Sequence, residues 1–187
     1  SPRWRAWLQR IDAFVTSLFS TANTWTATQT FNAGVKFPAT QVPSSDPNTL
    51  DDYEEGTWTP VFAFSTPGDS VITVGTALGR YTKTGRTVHI LLVLTITTNA
   101  YTTASGNAVI SGLPFVPAVE SPLSMGYTDK ITIPANTQQI APMVTTSSTV
   151  LLWAVKTNAT ASTPLTTAAF PASTASITFY VSGTYYV

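Results

Sequence analysis

From Thr57 to Val187 the chain is a succession of short β-branched and aromatic runs closed by turn signals, and this pattern limits the fold more than any other feature. The runs are Val61–Phe64, Val71–Val74, Val88–Thr97, Ala108–Ile110, Gln139–Val144, Val150–Val155 and Ile177–Tyr186. Pro67-Gly68-Asp69, Thr84-Gly85-Arg86 and Ser105-Gly106-Asn107 read as turns between them. Val, Ile, Thr and aromatic residues suit a pleated, half-buried surface, whereas Gly, Asn, Asp and Pro suit tight reversals. Many short strands with frequent turns predict a mainly β fold, an antiparallel β-sandwich, with the last strand tied into the sheet.

Charge narrows the function. Charged residues are 10% of the chain, against about 25% in an ordinary soluble domain. Beyond Gly56 the basic residues are Arg80, Lys83, Arg86, Lys130 and Lys156, and the acidic ones Asp69, Glu120 and Asp129. A domain so short of charge is expected to hide part of its surface in an oligomer. Net charge is zero, with no basic stripe to displace counterions, so nucleic acid is not an expected partner. With no cysteine there is no disulfide framework, thiolate metal site or cysteine nucleophile. No run approaches the ~20 apolar residues of a membrane span; Ile90–Ile96 is only strand-length, and membrane insertion is not expected. Arg3, Arg5, Arg10 and Asp12 break up any signal-peptide core. The chain lacks an initiator methionine and reads as a fragment.

Three segments follow: a helix over 1–20, an extended shaft and linker over 21–56, and a head over 57–187. Within the first, Trp4, Leu8, Ile11, Val15 and Leu18 step by four and three, the seam of a heptad repeat, with Trp7, Phe14 and Phe19 flanking it. A helix this short needs a partner. It is either packed on its own domain, part of a three-stranded coiled coil, or laid on a membrane surface. Residues 20–42 alternate apolar and polar side chains, as in Thr24-Trp25-Thr26 and Thr30-Phe31-Asn32, and read as short strands or an intertwined segment. Residues 41–56 form a polar linker ending in Asp51-Asp52-Tyr53-Glu54-Glu55-Gly56. With Asp46 these acids offer oxygen ligands suited to Ca²⁺, but EF-hand spacing is absent. A solvated hinge that caps turns or pairs with Arg80, Lys83 or Arg86 is the expected arrangement.

Asn48 to Pro60, NTLDDYEEGTWTP, resembles a motif that opens the C-terminal head of bacteriophage tail fibre proteins. Gly79 to Val88 looks like the hairpin of the same proteins, Ile110 to Phe115 like their "ISGLPF" turn, and Val181 to Tyr186 like their final strand. Asn23 to Ala27 and Gln29 to Gly34 resemble their shaft repeats. The resemblance implies a homotrimeric fibre tip, exposed extracellularly on the virion tail. Its partners would be a bacterial surface glycan or outer-membrane protein, and other tail proteins through the N-terminus. Several weak sites on one particle would give strong attachment. A structural virion component whose head only trimerises, and a glycan-degrading enzyme, are the alternatives.

Catalytic residues, cofactor and metal are expected to be absent. His89 is the sole histidine, set among Val88, Ile90 and Leu91, and no G-x-S-x-G elbow accompanies it. A glycosidase needs two carboxylates ~5–10 Å apart, and the head supplies only Asp69, Glu120 and Asp129. Trp58 and Tyr81 read as core residues, and Gly56, Gly79 and Gly85 as turn residues. Receptor contacts are sought in the loops and in residues 120–163. Tyr101, Tyr127 and Trp153 offer flat rings, and Asn99 and Asn107 offer amides to sugar hydroxyls. Tyr101 lies in a polar turn and is expected to be exposed; Trp153 is also consistent with core packing.

Overall fold

The computed structural model describes residues 2–20, 26–157, 161–172 and 176–187. Asn23, Thr24 and Trp25 of the shaft-like repeats lie outside these, as does the side chain of Phe19. The chain divides into two compact units, Ser1–Lys36 and Phe37–Val187.

The first unit contains α1 (Pro2–Ser20), as the heptad spacing predicts. Trp4, Leu8, Ile11, Val15 and Leu18 are all exposed. Residues 26–36 contain no strand, and neither do residues 37–52 of the second unit, so the alternating pattern there does not produce one. A strand needs a neighbour to fill its hydrogen bonds, and these residues have none in the described chain.

The second unit is antiparallel throughout. Its strands are β1 (Tyr53–Trp58), β2 (Val61–Thr66), β3 (Val71–Thr84), β4 (Thr87–Ala100), β5 (Ser105–Ser111), β6 (Ser121–Thr128), β7 (Thr137–Val144), β8 (Val150–Lys156), β9 (Thr163–Pro164) and β10 (Ile177–Tyr186). They follow one path, β1-β3-β4-β10-β6-β7-β8-β5-β2, with β9 on β8. The sheet curls so that one face of each half supplies the core. In β4, Val88, Ile90, Leu92, Leu94 and Ile96 are fully buried, while His89 and Leu91 between them are exposed. This is the two-residue period of a sheet with one wet face. Phe62 lies at the centre of an aromatic cluster, with Phe170 at 5.2 Å, Phe64 at 5.4 Å and Phe179 at 5.9 Å between ring centroids.

Several sequence expectations change. β1 begins at Tyr53, inside the segment read as linker up to Gly56. The run at Val71–Val74 continues through two glycines to Thr84, because β4 pairs with it along its whole length. Ser105-Gly106-Asn107 is the start of β5 and not a turn. It meets β2 at a register shift between Phe64 and Thr66, where Gly106 takes φ +82°. β6, which contains Pro122 and Gly126, gave no strand signal.

Gly85 does make a turn, with φ +56°. Gly56 and Gly79 do not. They lie in β1 and β3, in the register Gly56↔Tyr81 and Trp58↔Gly79. A Cβ on Gly79 would sit 2.5 Å from the Trp58 ring, and one on Gly56 would sit 2.5 Å from the Tyr81 hydroxyl. Each strand therefore lends a glycine as the bed for the other strand's aromatic ring.

Candidate functional site

The acidic motif is structural. Asp46 accepts the Asn48 N–H at 2.9 Å, and Asp51 accepts the Ser44 N–H at 2.9 Å. The Ser44 N–H holds the Asp51 carboxyl below its ordinary range. Glu55 accepts from the Tyr53 hydroxyl and Glu54 from that of Tyr81. The bond to Glu54 pushes the Tyr81 phenol up to about 12. Asp52 takes Lys83, one of the three cations expected, as a buried ion-pair partner, with side chains 8% and 5% exposed. The Lys83 ammonium also reaches Gln41 Oε1 at 3.3 Å and lies 5.3 Å from the Phe115 ring centroid. Among the described residues no three His, Cys, Asp or Glu side chains gather into a metal-ligand set.

The five loop and strand residues sought for receptor contact divide sharply. Asn99 is fully buried, and its Nδ2 donates to the Phe170 carbonyl at 2.8 Å. Tyr101 is half-buried rather than exposed. Its hydroxyl lies 2.9 Å from both the Thr167 and Phe170 carbonyls, and its ring meets Phe64 edge-on at 5.3 Å. These two side chains pin the 167–170 turn to the end of β4. Internal carbonyls accept from the Asn99 amide nitrogen and the Tyr101 hydroxyl, while the Asn99 Oδ1 is buried with no hydrogen-bond partner. Asn107 is half-buried and donates its backbone N–H to Ser65 Oγ at 2.9 Å. Trp153 is half-buried on β8, between Ala141 of β7 and Pro164 of β9.

Tyr127 is different. By simple alternation it would share the inner face with Leu123 and Met125. The register, however, runs Tyr180↔Tyr127 and then Val181↔Met125, leaving Gly126 as an extra residue. This bulge turns Tyr127 to the outer face, as an added residue must. There it is 50% exposed beside Tyr180, 45% exposed, with ring centroids 5.8 Å apart and planes at 70°. The Asp129 charge raises the Tyr127 phenol above its ordinary value. Tyr180 escaped the sequence reading, although it occupies the outward phase of Ile177, Phe179 and Val181.

Tyr127 stands at the mouth of a cleft. β6 and β7 pair only at Ser121↔Val144 and Pro122↔Met143, and from there they splay. The opening is about 610 Å³, lined by Ser124, Met125, Tyr127, Thr128, Gln139 and Ile140. That is within the ~300–1,000 Å³ of ordinary ligand sites. Thr128 Oγ1 is buried with no hydrogen-bond partner, and hydroxyls in that state are rare.

Over 71% of its length the chain matches the crystal structure of the Dettilon tailspike protein, with a TM-score of 0.54 at 15% identity. The two share a fold. The match covers 23% of the tailspike, so the chain corresponds to under a quarter of that protein. No family model matches the chain, and no curated protein matches its sequence.

Among the carboxylates beyond Gly56, Asp69 serves a loop. Asp69 accepts the N–H groups of Thr102 and Thr103 at 2.7–3.0 Å and both threonine hydroxyls. These bonds hold its carboxyl far below the usual range, the Thr102 hydroxyl contributing most. A depressed carboxylate stabilises the fold above its unfolded value of about 3.9 and ceases to do so as pH falls toward its folded value. The melting temperature of the chain is therefore expected to fall between pH 5 and pH 2. Asp69→Asn should lower it at pH 7 and flatten that fall. Parallel acid dependence in the two proteins, measured by circular dichroism, would show that Asp69 does not clamp the loop.

Proposed function

We propose that this chain is the receptor-binding tip of a bacteriophage tail fibre or tailspike, carried on the virion as a homotrimer. It binds a glycan or outer-membrane protein of the bacterial host without cleaving it. The observation that carries this reading is the head's fold, shared with part of a phage tailspike protein. The two halves of the curled sheet are read as the layers of a sandwich, and α1 as a three-stranded coiled coil toward the rest of the tail.

The exposed Tyr127–Tyr180 pair beside the β6–β7 cleft is the contact surface in this reading. Rigid aromatic rings give large contact area at small entropic cost. Non-cleavage is supported by the occupation of two of the three head carboxylates. Asp69 holds the 102–103 loop, and Asp129 accepts the Thr178 N–H at 2.9 Å.

The test is binding of fluorescently labelled chain to a panel of bacterial strains, scored by flow cytometry. Labelled chain should stain at least one strain and block infection by a phage of that strain. Tyr127→Ala should weaken staining about 30-fold, the effect of losing a ~2 kcal/mol hot spot. Staining of no strain would favour a structural virion component. Release of reducing ends from the stained strain's polysaccharide would favour the enzyme.

A further inference from the structure

The outer face of β3 and β4, which continues from Val93 onto Tyr180 of β10, carries exposed apolar side chains. Leu78 and Leu91 are each 39% exposed. The register places Leu91 beside Arg80 and Val93 beside Leu78, so three apolar side chains surround one cation. Thr57 of β1 lies opposite Arg80, with Glu55 two residues away on the same side. Between them is a hollow of about 420 Å³, lined by Glu55, Thr57, Arg80, His89 and Leu91.

Charge is the second observation. Among the described residues Arg80 makes no ion pair, and Glu55 takes only the Tyr53 hydroxyl. The face thus carries one unpaired cation and one carboxylate, of opposite sign, at the edge of an apolar patch. Such a face is complementary to itself. The chain's other exposed apolar stripe, the α1 heptad seam, is of the kind covered by a partner helix, and under the homotrimer reading that helix is another copy.

We propose that this β1–β3–β4 face packs against a second copy of this chain, with Arg80 of one copy meeting Glu55 of the next and Leu91 at the buried centre. The inference rests on the homotrimer reading and names the head surface through which copies meet. The buried face is centred on Leu91 of β4, and Tyr127 lies two strands away on β6.

The chain has no cysteine, so one introduced thiol reports its own environment. Leu91→Cys and Val116→Cys, the latter at a site 72% exposed, would be treated with a maleimide at a concentration where light scattering gives a multiple of 19.9 kDa. Leu91→Cys is expected to react about tenfold more slowly, an opening equilibrium of ~1.4 kcal/mol. On dilution to the monomer the two rates should converge. Arg80→Glu should shift the mass toward monomer, and adding Glu55→Arg should restore it. Equal thiol rates in an assembled sample would overturn the face and leave the homotrimer intact. A 19.9 kDa mass at every concentration would overturn both.

Discussion

Lys83→Met is expected to lower the stability of the head by about 3–5 kcal/mol, the usual cost of stranding one partner of a buried ion pair. The loss would be read as a shift in the urea midpoint of tryptophan fluorescence. The size follows from burial: neither the ammonium nor the carboxylate is more than 8% exposed, so a lone Asp52 charge has little water to turn to. The damage would also spread. The Asp52 carbonyl accepts the Gly85 N–H at 2.9 Å, fixing the β3–β4 turn, and Gln41 brings the 37–52 segment to the same ammonium. Asp52→Leu in the Lys83→Met background should recover most of the loss, because an apolar pair of similar volume replaces a buried charge pair at little or no cost. A single-mutant loss below 1 kcal/mol would mean that water reaches the pair.

Trp58→Ala is expected to cost about 3–5 kcal/mol, as removal of a large core aromatic usually does. Its ring covers Gly79 and is 8% exposed. The converse change, Gly79→Ala, puts a methyl 2.5 Å from that ring and should cost about 1–3 kcal/mol by overpacking. The decisive measurement is the double mutant. If the glycine exists to seat the ring, Gly79→Ala becomes harmless or favourable once Trp58 is alanine, giving a coupling of at least ~1 kcal/mol. Additive losses would show that Gly79 matters for its backbone alone.

The pair also shows what the sequence could and could not reveal. Strand β4 was legible because a single register of alternating apolar residues fits it, and α1 because its seam repeats. β3 was cut short at Gly75, since glycine inside a strand reads as a break. The reason for Gly79 lies on another strand, 21 positions away. Asn99 and Tyr101 were read as loop contacts for a similar reason. Their partners, the carbonyls of residues 167–170, are remote in sequence, and nothing local shows that a polar side chain is already engaged. Tyr127 was found by its type. Its outward direction depends on the Gly126 bulge, and the register across β10 is needed to see it. Tyr180 is legible by phase, but the apolar residues around it make its segment read as core.

Strand order has a consequence for how the head is made. β10, the last strand of the chain, lies between β4 and β6, so it is interior to the sheet and not an edge. Until residues 177–186 leave the ribosome, β4 and β6 each present an unfilled edge, and half of the core has no lid. Apolar surface and open strand edges in a partly made chain invite association with other chains. The head can therefore close only after β10 has been made.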